Sequence, residues 1–219
     1  MYNSDIIEQT KEYVEQKLNH EFSGHDWQHV CRVYKIAKYI AKKENANIFL
    51  VELAALLHDL SDWKLEHTEN YICPNENTLF LKKIGVSSAD IKSVQNIIDC
   101  VSFKGAQVAD NHQSLESQIV QDADRLDAIG AIGIVRAITY GTFIKRKLHD
   151  PEIQPILHDS FDGYKNHTGT TINHFYEKLL LLKDRLQTET ARQLAQSRHQ
   201  FMLQFLERFK YEWSYCDSD

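Results

Sequence analysis

The segment that most constrains this chain is "NIFLVELAALLHDL", residues 47–60, which is apolar on nearly every side until it reaches His58 and Asp59. A helix with an apolar stripe can lie on a surface, but one that is apolar all round must be enclosed by others. The remaining sequence supplies the enclosure. Ile6, Ile7, Tyr13, Val14 and Leu18 mark a first helix, with Asp5 and Glu8 spaced like a capping box. Ser23 and Asp26 repeat that spacing before a second helix, whose apolar face runs through Val30, Val33, Ile36, Ala37, Ile40 and Ala41. Further helices are predicted at about 78–84, 88–101 and 114–140. In the last of these, Gly130 and Gly133 each cost roughly 1 kcal/mol relative to alanine but let another helix approach closely. The polar stretch 66–77 reads as a loop, and 144–170, with Pro151, Pro155, Gly163 and Gly169, as a long loop or lid. Amphipathic periodicity resumes at Ile172 and runs to Trp213, consistent with two helices. No β-alternation, internal repeat or domain boundary interrupts this pattern. The expectation is an all-α fold in a single domain over 1–219, with a core at about 20–140, a lid at 144–170 and a C-terminal helical extension at 171–213.

The 219 residues carry a formal net charge of -6, which disfavours a polyanion such as duplex nucleic acid. A small anion needs only local positive charge, so nucleotides stay open. Cys31, Cys73, Cys100 and Cys216 are dispersed without a C-x-x-C pair, and packing roles are expected for all four. The N-terminus lacks a signal-peptide pattern, and no apolar run approaches the roughly 18 residues of a membrane span. A cytoplasmic protein without membrane contact is the reading that follows.

Polar residues that break the apolar faces carry the chemistry. His58 and Asp59 end the central helix, and Asp124 in "VQDADRLDA" interrupts another, where burial is costly without a partner or a cation. In "GHDWQHV", His25 and His29 stand four apart in the first turns of the second helix, close to the H-E-x-x-H pattern of zinc peptidases but with Asp26 where the glutamate belongs. Three helices thus each bring inward a metal-capable residue, and His29, His58, Asp59 and Asp124 form a two-histidine, two-carboxylate set. Such ligation suits Mn²⁺, Fe²⁺, Co²⁺, Ni²⁺ or Zn²⁺, and Mg²⁺ less well.

The order His29, His58-Asp59, Asp124, together with "HDWQHVCRVYKIA", "AALLHDLSDWK" and "VQDADRLDAIGAIGIVRA", resembles the H…HD…D signature of the HD-domain metal-dependent phosphohydrolases, an all-helical superfamily. The similarity continues through "VSFKG" and the C-terminal helices to a bacterial subgroup of stand-alone HD hydrolases. It implies that His29 rather than His25 is the ligand, and it displaces the zinc-peptidase reading, since aspartate is a methylene too short for that base. One divalent ion is implied, manganese foremost, because the extra histidines of two-metal relatives are absent from "IKSVQNIIDCVSFKG".

The resemblance also implies hydrolysis of small phosphorylated metabolites, in this subgroup nucleoside or deoxynucleoside triphosphates cleaved to monophosphate and pyrophosphate. A nucleoside monophosphate phosphatase is the alternative of the same class, and a non-catalytic metal-dependent nucleotide-binding regulator is the alternative of another. Asp62, three residues beyond Asp59, matches an acidic residue given an acid/base role in related enzymes. Lys64, Lys104 and Arg125 are the candidate cations for phosphate oxygens, and His25 a further substrate contact or a helix cap. Asp127 is the flanking acid expected to matter more than Asp122, and Lys145 to Lys147 is expected to be a solvated face rather than a phosphate-attracting lid. The partner implied is a small nucleotide, and a homodimer is admitted.

Overall fold

The structure, a computed structural model, describes residues 3–18, 24–60, 74–103, 105–110, 114–160, 162–163 and 169–214. Among these the fold is all-α. The helices are α1 (Asn3–Lys17), α2 (Trp27–Lys43), α3 (Ile48–Leu57), α4 (Pro74–Lys83), α5 (Ser88–Ile98), α6 (Leu115–Asp127), α7 (Gly130–Phe143), α8 (Thr171–Glu177) and α9 (Glu189–Trp213), with a 3-10 turn at Leu179–Arg185.

The apolar α3 sits at the centre as its composition requires. α2, α1, α5 and α6 pack around it, and α9 closes the bundle against α6 and α7. Val33, Ala37 and Ile40 of α2, Leu53, Ala54 and Leu57 of α3, and Ile119, Ala123 and Leu126 of α6 are fully buried in one continuous apolar cluster. Burying the valine, leucine and isoleucine side chains among them stabilises by about 1.5–3 kcal/mol each. The buried Glu52 of α3 is not left alone, because Tyr34 donates to it at 2.7 Å and Lys38 pairs with it. No single helix among the described residues is long and apolar enough to cross a membrane.

Side-chain caps set most of the helix starts. Asp26, Asn47, Ser87, Ser114, Thr170 and Thr188 cap α2, α3, α5, α6, α8 and α9, a contribution of typically about 1 kcal/mol each. The start of α9 is anchored further by Asp122, which accepts from the Gln187 and Thr188 amides and the Thr188 hydroxyl at 2.7 to 3.1 Å.

Several expected boundaries move. The helix expected over 114–140 is two helices bent by 75°. Gly130 opens α7 at φ +78, and a Cβ there would meet Arg198 of α9 at 3.0 Å, so this glycine serves both the bend and the close approach. The predicted loop at 66–77 is overlapped by α4, because Pro74 occupies a first helical turn where its missing N–H is harmless. Asp5 lies inside α1 rather than capping it, since that helix already begins at Asn3. The C-terminal region holds the two expected helices, α8 and α9, with the 3-10 turn between them. Residues 144–160 form turns, stitched to the body where the Thr171 and Ile172 amides donate to the Lys147 and Leu148 carbonyls. Cys31 and Cys100 are free thiols, half-buried and buried, whereas Cys73 and Cys216 lie outside the described residues.

Candidate metal centre

The start of α2, the end of α3 and the middle of α6 converge on one buried polar site. Asp26 caps α2 by accepting from the His29 amide at 2.8 Å, which fixes His29 in the first turn with no exposure. His25 lies before that cap, outside the helix, contrary to the sequence expectation. α3 ends at His58, whose Nδ1 lies 2.9 Å from the Ala55 carbonyl oxygen. A carbonyl only accepts, so Nδ1 carries the proton and Nε2 offers its lone pair. Asp59 follows on the turn, 3% exposed, and Asp124 reaches in from α6.

His29 Nε2 is 3.1 Å from Asp59 Oδ2 and 3.5 Å from Asp124 Oδ1, and His58 Nε2 is 3.6 Å from Asp59 Oδ1 and 3.9 Å from Asp124 Oδ1. Two ligand atoms each about 2.1 Å from a metal ion, at angles between octahedral and tetrahedral, stand roughly 3.0–3.4 Å apart. The spacings are therefore those of a shared ion, slightly expanded. Among the described residues neither His29 Nε2 nor His58 Nε2 has a hydrogen-bond partner, although both atoms are buried. A polar atom so placed costs about 1–3 kcal/mol unless something takes up its lone pair. A divalent cation would take up both lone pairs and balance both carboxylates, so the residues present fit one. The ligand atoms of His29, His58 and Asp124 lie within 4.8 Å of one another, and so do those of His25, His29 and Asp59.

A further ring of groups fixes these residues from behind. His29 Nδ1 is 2.8 Å from Asp127 Oδ2, and Asp127 also accepts from Arg32 Nε at 2.7 Å and Arg136 Nη1 at 3.2 Å. Burial would raise the Asp127 carboxyl, but His29 and the two arginines outweigh it and hold it well below the usual carboxylate range. The ionised Asp127 keeps the His29 proton on Nδ1, which turns the Nε2 lone pair toward the site. His25 Nδ1 is 2.8 Å from Asp59 Oδ2. Asp59 likewise stays well below the usual range, its burial offset by His25, His58 and His29.

The remaining sequence candidates separate. Asp62, Lys64 and Lys104 lie outside the described residues. Arg125, read from the sequence as a phosphate cation beside Asp124, is 3% exposed and directed elsewhere: its two Nη atoms donate to Asp110 and to the Arg185 carbonyl, both at 2.6 Å. Adjacent residues on a helix point about 100° apart, which is why proximity in sequence misleads here. Lys147 pairs with Asp150 on the surface. Sequence reasoning did not single out Arg32, Arg136 or Tyr140, whose ring packs edge-on against His25 with centroids 5.9 Å apart. Arg32 was findable, being three residues beyond His29 on the same helix face. Arg136 was not, since its position depends on the bend before α7.

A family model for the HD domain matches residues 26–129. The uncharacterized protein YpgQ of Bacillus subtilis is 41% identical over 204 residues, 93% of this chain and 91% of that protein. Its crystal structure in complex with ADP superimposes with a TM-score of 0.75 at 37% identity, covering 94% of this chain and 97% of that one. A Lactobacillus plantarum protein of known structure is closer in shape, with a TM-score of 0.87 at 40% identity over 96% of this chain and 97% of that one. An HD-superfamily hydrolase from Bacillus thuringiensis gives a TM-score of 0.73 at 38% identity over 98% of this chain and all of that one. The three metal-capable elements thus occur in the order, and within the all-helical frame, that define a known group, and the chain belongs to the HD-domain family.

Proposed function

We propose that this protein is a metal-dependent phosphohydrolase that cleaves nucleoside or deoxynucleoside triphosphates to monophosphate and pyrophosphate. The observation that carries the reading is the pair of buried Nε2 atoms of His29 and His58, unpartnered among the described residues, converging with the carboxylates of Asp59 and Asp124. Those four residues would hold one divalent ion, manganese foremost. When bound, the ion supplies Lewis acidity, which polarises a phosphoryl oxygen and makes water a competent nucleophile near neutral pH. The family and the ADP complex of the Bacillus subtilis relative support a nucleotide as the substrate.

The chain's own residues divide the remaining work. Asp62 accepts the proton of the attacking water. Lys64 and Lys104 offset the charge of the departing pyrophosphate, and electrostatic support of this kind is often the largest catalytic term. His25, held against Asp59, keeps that carboxylate oriented and is the further candidate contact for a phosphate oxygen. The outcome depends on which phosphorus is held in line, and the α-phosphorus is the one proposed.

The test is a time course on a nucleoside triphosphate with Mn²⁺, resolved by chromatography with and without inorganic pyrophosphatase. Monophosphate and pyrophosphate should appear together, with no diphosphate. Diphosphate and orthophosphate appearing first would mean γ-attack, and turnover confined to monophosphates would make the protein a nucleotidase.

A further inference from the structure

We infer that Arg136 of α7 is a positioning residue for the metal centre, holding two of its walls through one guanidinium. Its Nη1 donates to Asp127 Oδ2 at 3.2 Å, the same oxygen that binds His29 Nδ1 at 2.8 Å. Its Nε donates to the Gly24 carbonyl at 2.8 Å. Gly24 sits at φ +93, a backbone conformation that glycine adopts without strain, and the next residue is His25, bound to Asp59. Arg136 is therefore separated from His29 by one carboxylate, and from Asp59 by one peptide and one imidazole. One turn further along α7, the Tyr140 ring packs edge-on against His25.

An arginine suits this place because its planar fork carries several donors in fixed directions, so both acceptors are held at a set separation. A lysine could supply the charge but not the two-armed geometry. Arg32 differs in kind: among the described residues it bonds to Asp127 alone, through Nε at 2.7 Å and Nη2 at 3.0 Å, and its side chain is 34% exposed against 14% for Arg136. α7 reaches this position only because the chain bends 75° after α6, so the bend is part of the device.

The inference rests on the metal reading, and Arg136→Lys separates geometry from charge. Removing the charge outright would make the site more negative and by itself favour a cation. The lysine variant keeps the charge and loses the fork. Losing groups that orient metal ligands typically costs 10–100-fold in affinity. We therefore expect the Mn²⁺ dissociation constant of the chelator-stripped full chain, measured by calorimetry, to rise about tenfold or more in Arg136→Lys. The visible spectrum of the Co²⁺-loaded variant should shift as well. Arg136→Gln, a second variant that loses the charge as well as the fork, should also bind Mn²⁺ more weakly but by less than Arg136→Lys, because the lost charge partly offsets the lost geometry. Arg32→Ala should have the smaller effect. A stripped protein that melts earlier but binds Mn²⁺ with unchanged affinity and an unchanged Co²⁺ spectrum in both Arg136 variants would overturn the inference alone. A wild-type chain that takes up no Mn²⁺ would overturn the metal reading and the inference together.

Discussion

Helix α6 carries two buried polar regions that are resolved in opposite ways. On one side Asp122, with no exposure, accepts from two amides and a hydroxyl at the start of α9. On the other, Asp124 reaches a site where two buried imidazole nitrogens have no hydrogen-bond partner among the described residues. The titration directions differ in parallel. Burial pushes the Asp122 carboxyl above its usual value despite its donors, whereas the histidines and arginines hold Asp59 and Asp127 below theirs. Burial of a polar group by itself thus distinguishes nothing. What marks the ligand site is the convergence of two such imidazole nitrogens with two carboxylates, since lacking a partner among the described residues is not enough by itself: Gln121 Oε1 of the same helix lacks one too.

That contrast can be broken first at the metal side. His58→Ala or Asp59→Ala should abolish both bound metal and turnover, because each removes a ligand and strands its buried partners. His29→Ala should behave likewise, and His25→Ala should keep the metal. Metal analysis of the purified variants decides this, and a reversal between the two histidines would show that the wrong one was assigned as ligand. Asp62→Asn should leave the metal bound while turnover falls on the order of 10²- to 10⁴-fold. An unchanged rate would remove Asp62 from the chemistry.

The structural side should answer with stability instead. Asp122→Ala leaves the Gln187 and Thr188 amides without their acceptor and should destabilise the fold by about 2–3 kcal/mol in urea unfolding, with metal stoichiometry of the folded protein intact. Loss of metal at undiminished stability would mean that the two sides of α6 are not separable.

The smallest effect concerns acid. Asp127 has a folded pKa depressed below its unfolded value, so its contribution is present above about pH 4 and is lost as the pH falls through the folded pKa. The stability difference between wild type and Asp127→Asn should be level from neutral pH down to about pH 5 and shrink below pH 4. A difference that widened on acidification would contradict the ionised, arginine-held carboxylate.

The sequence was most legible where one physical rule dominates. A helix apolar all round must be central, and metal-capable residues interrupting apolar helices must meet a partner; those two rules nominated the buried helix α3 with His58, Asp59 and Asp124. The choice of His29 over His25 came from the family resemblance, and the structure brings the four together, each imidazole Nε2 within 3.9 Å of both carboxylates. Legibility failed where geometry depends on a change of direction. Gly130 was read as a point of close packing, which it is, but nothing in the periodicity announced the 75° bend that it also makes. The roles of Arg136 and Asp122 follow from that bend and from the docking of α9, and their partners are remote in the chain. Arg125 was misread because its neighbour Asp124 faces the site and it does not.

The proposed function requires a single metal ion bound among His29, His58, Asp59 and Asp124. Calorimetric titration of the chelator-stripped wild-type chain with Mn²⁺ tests it directly. The expected result is one saturable site per chain, a melting temperature that rises with Mn²⁺ concentration, and loss of both in His58→Ala. Absence of saturable binding in the wild type, or undiminished binding in His58→Ala, would contradict it.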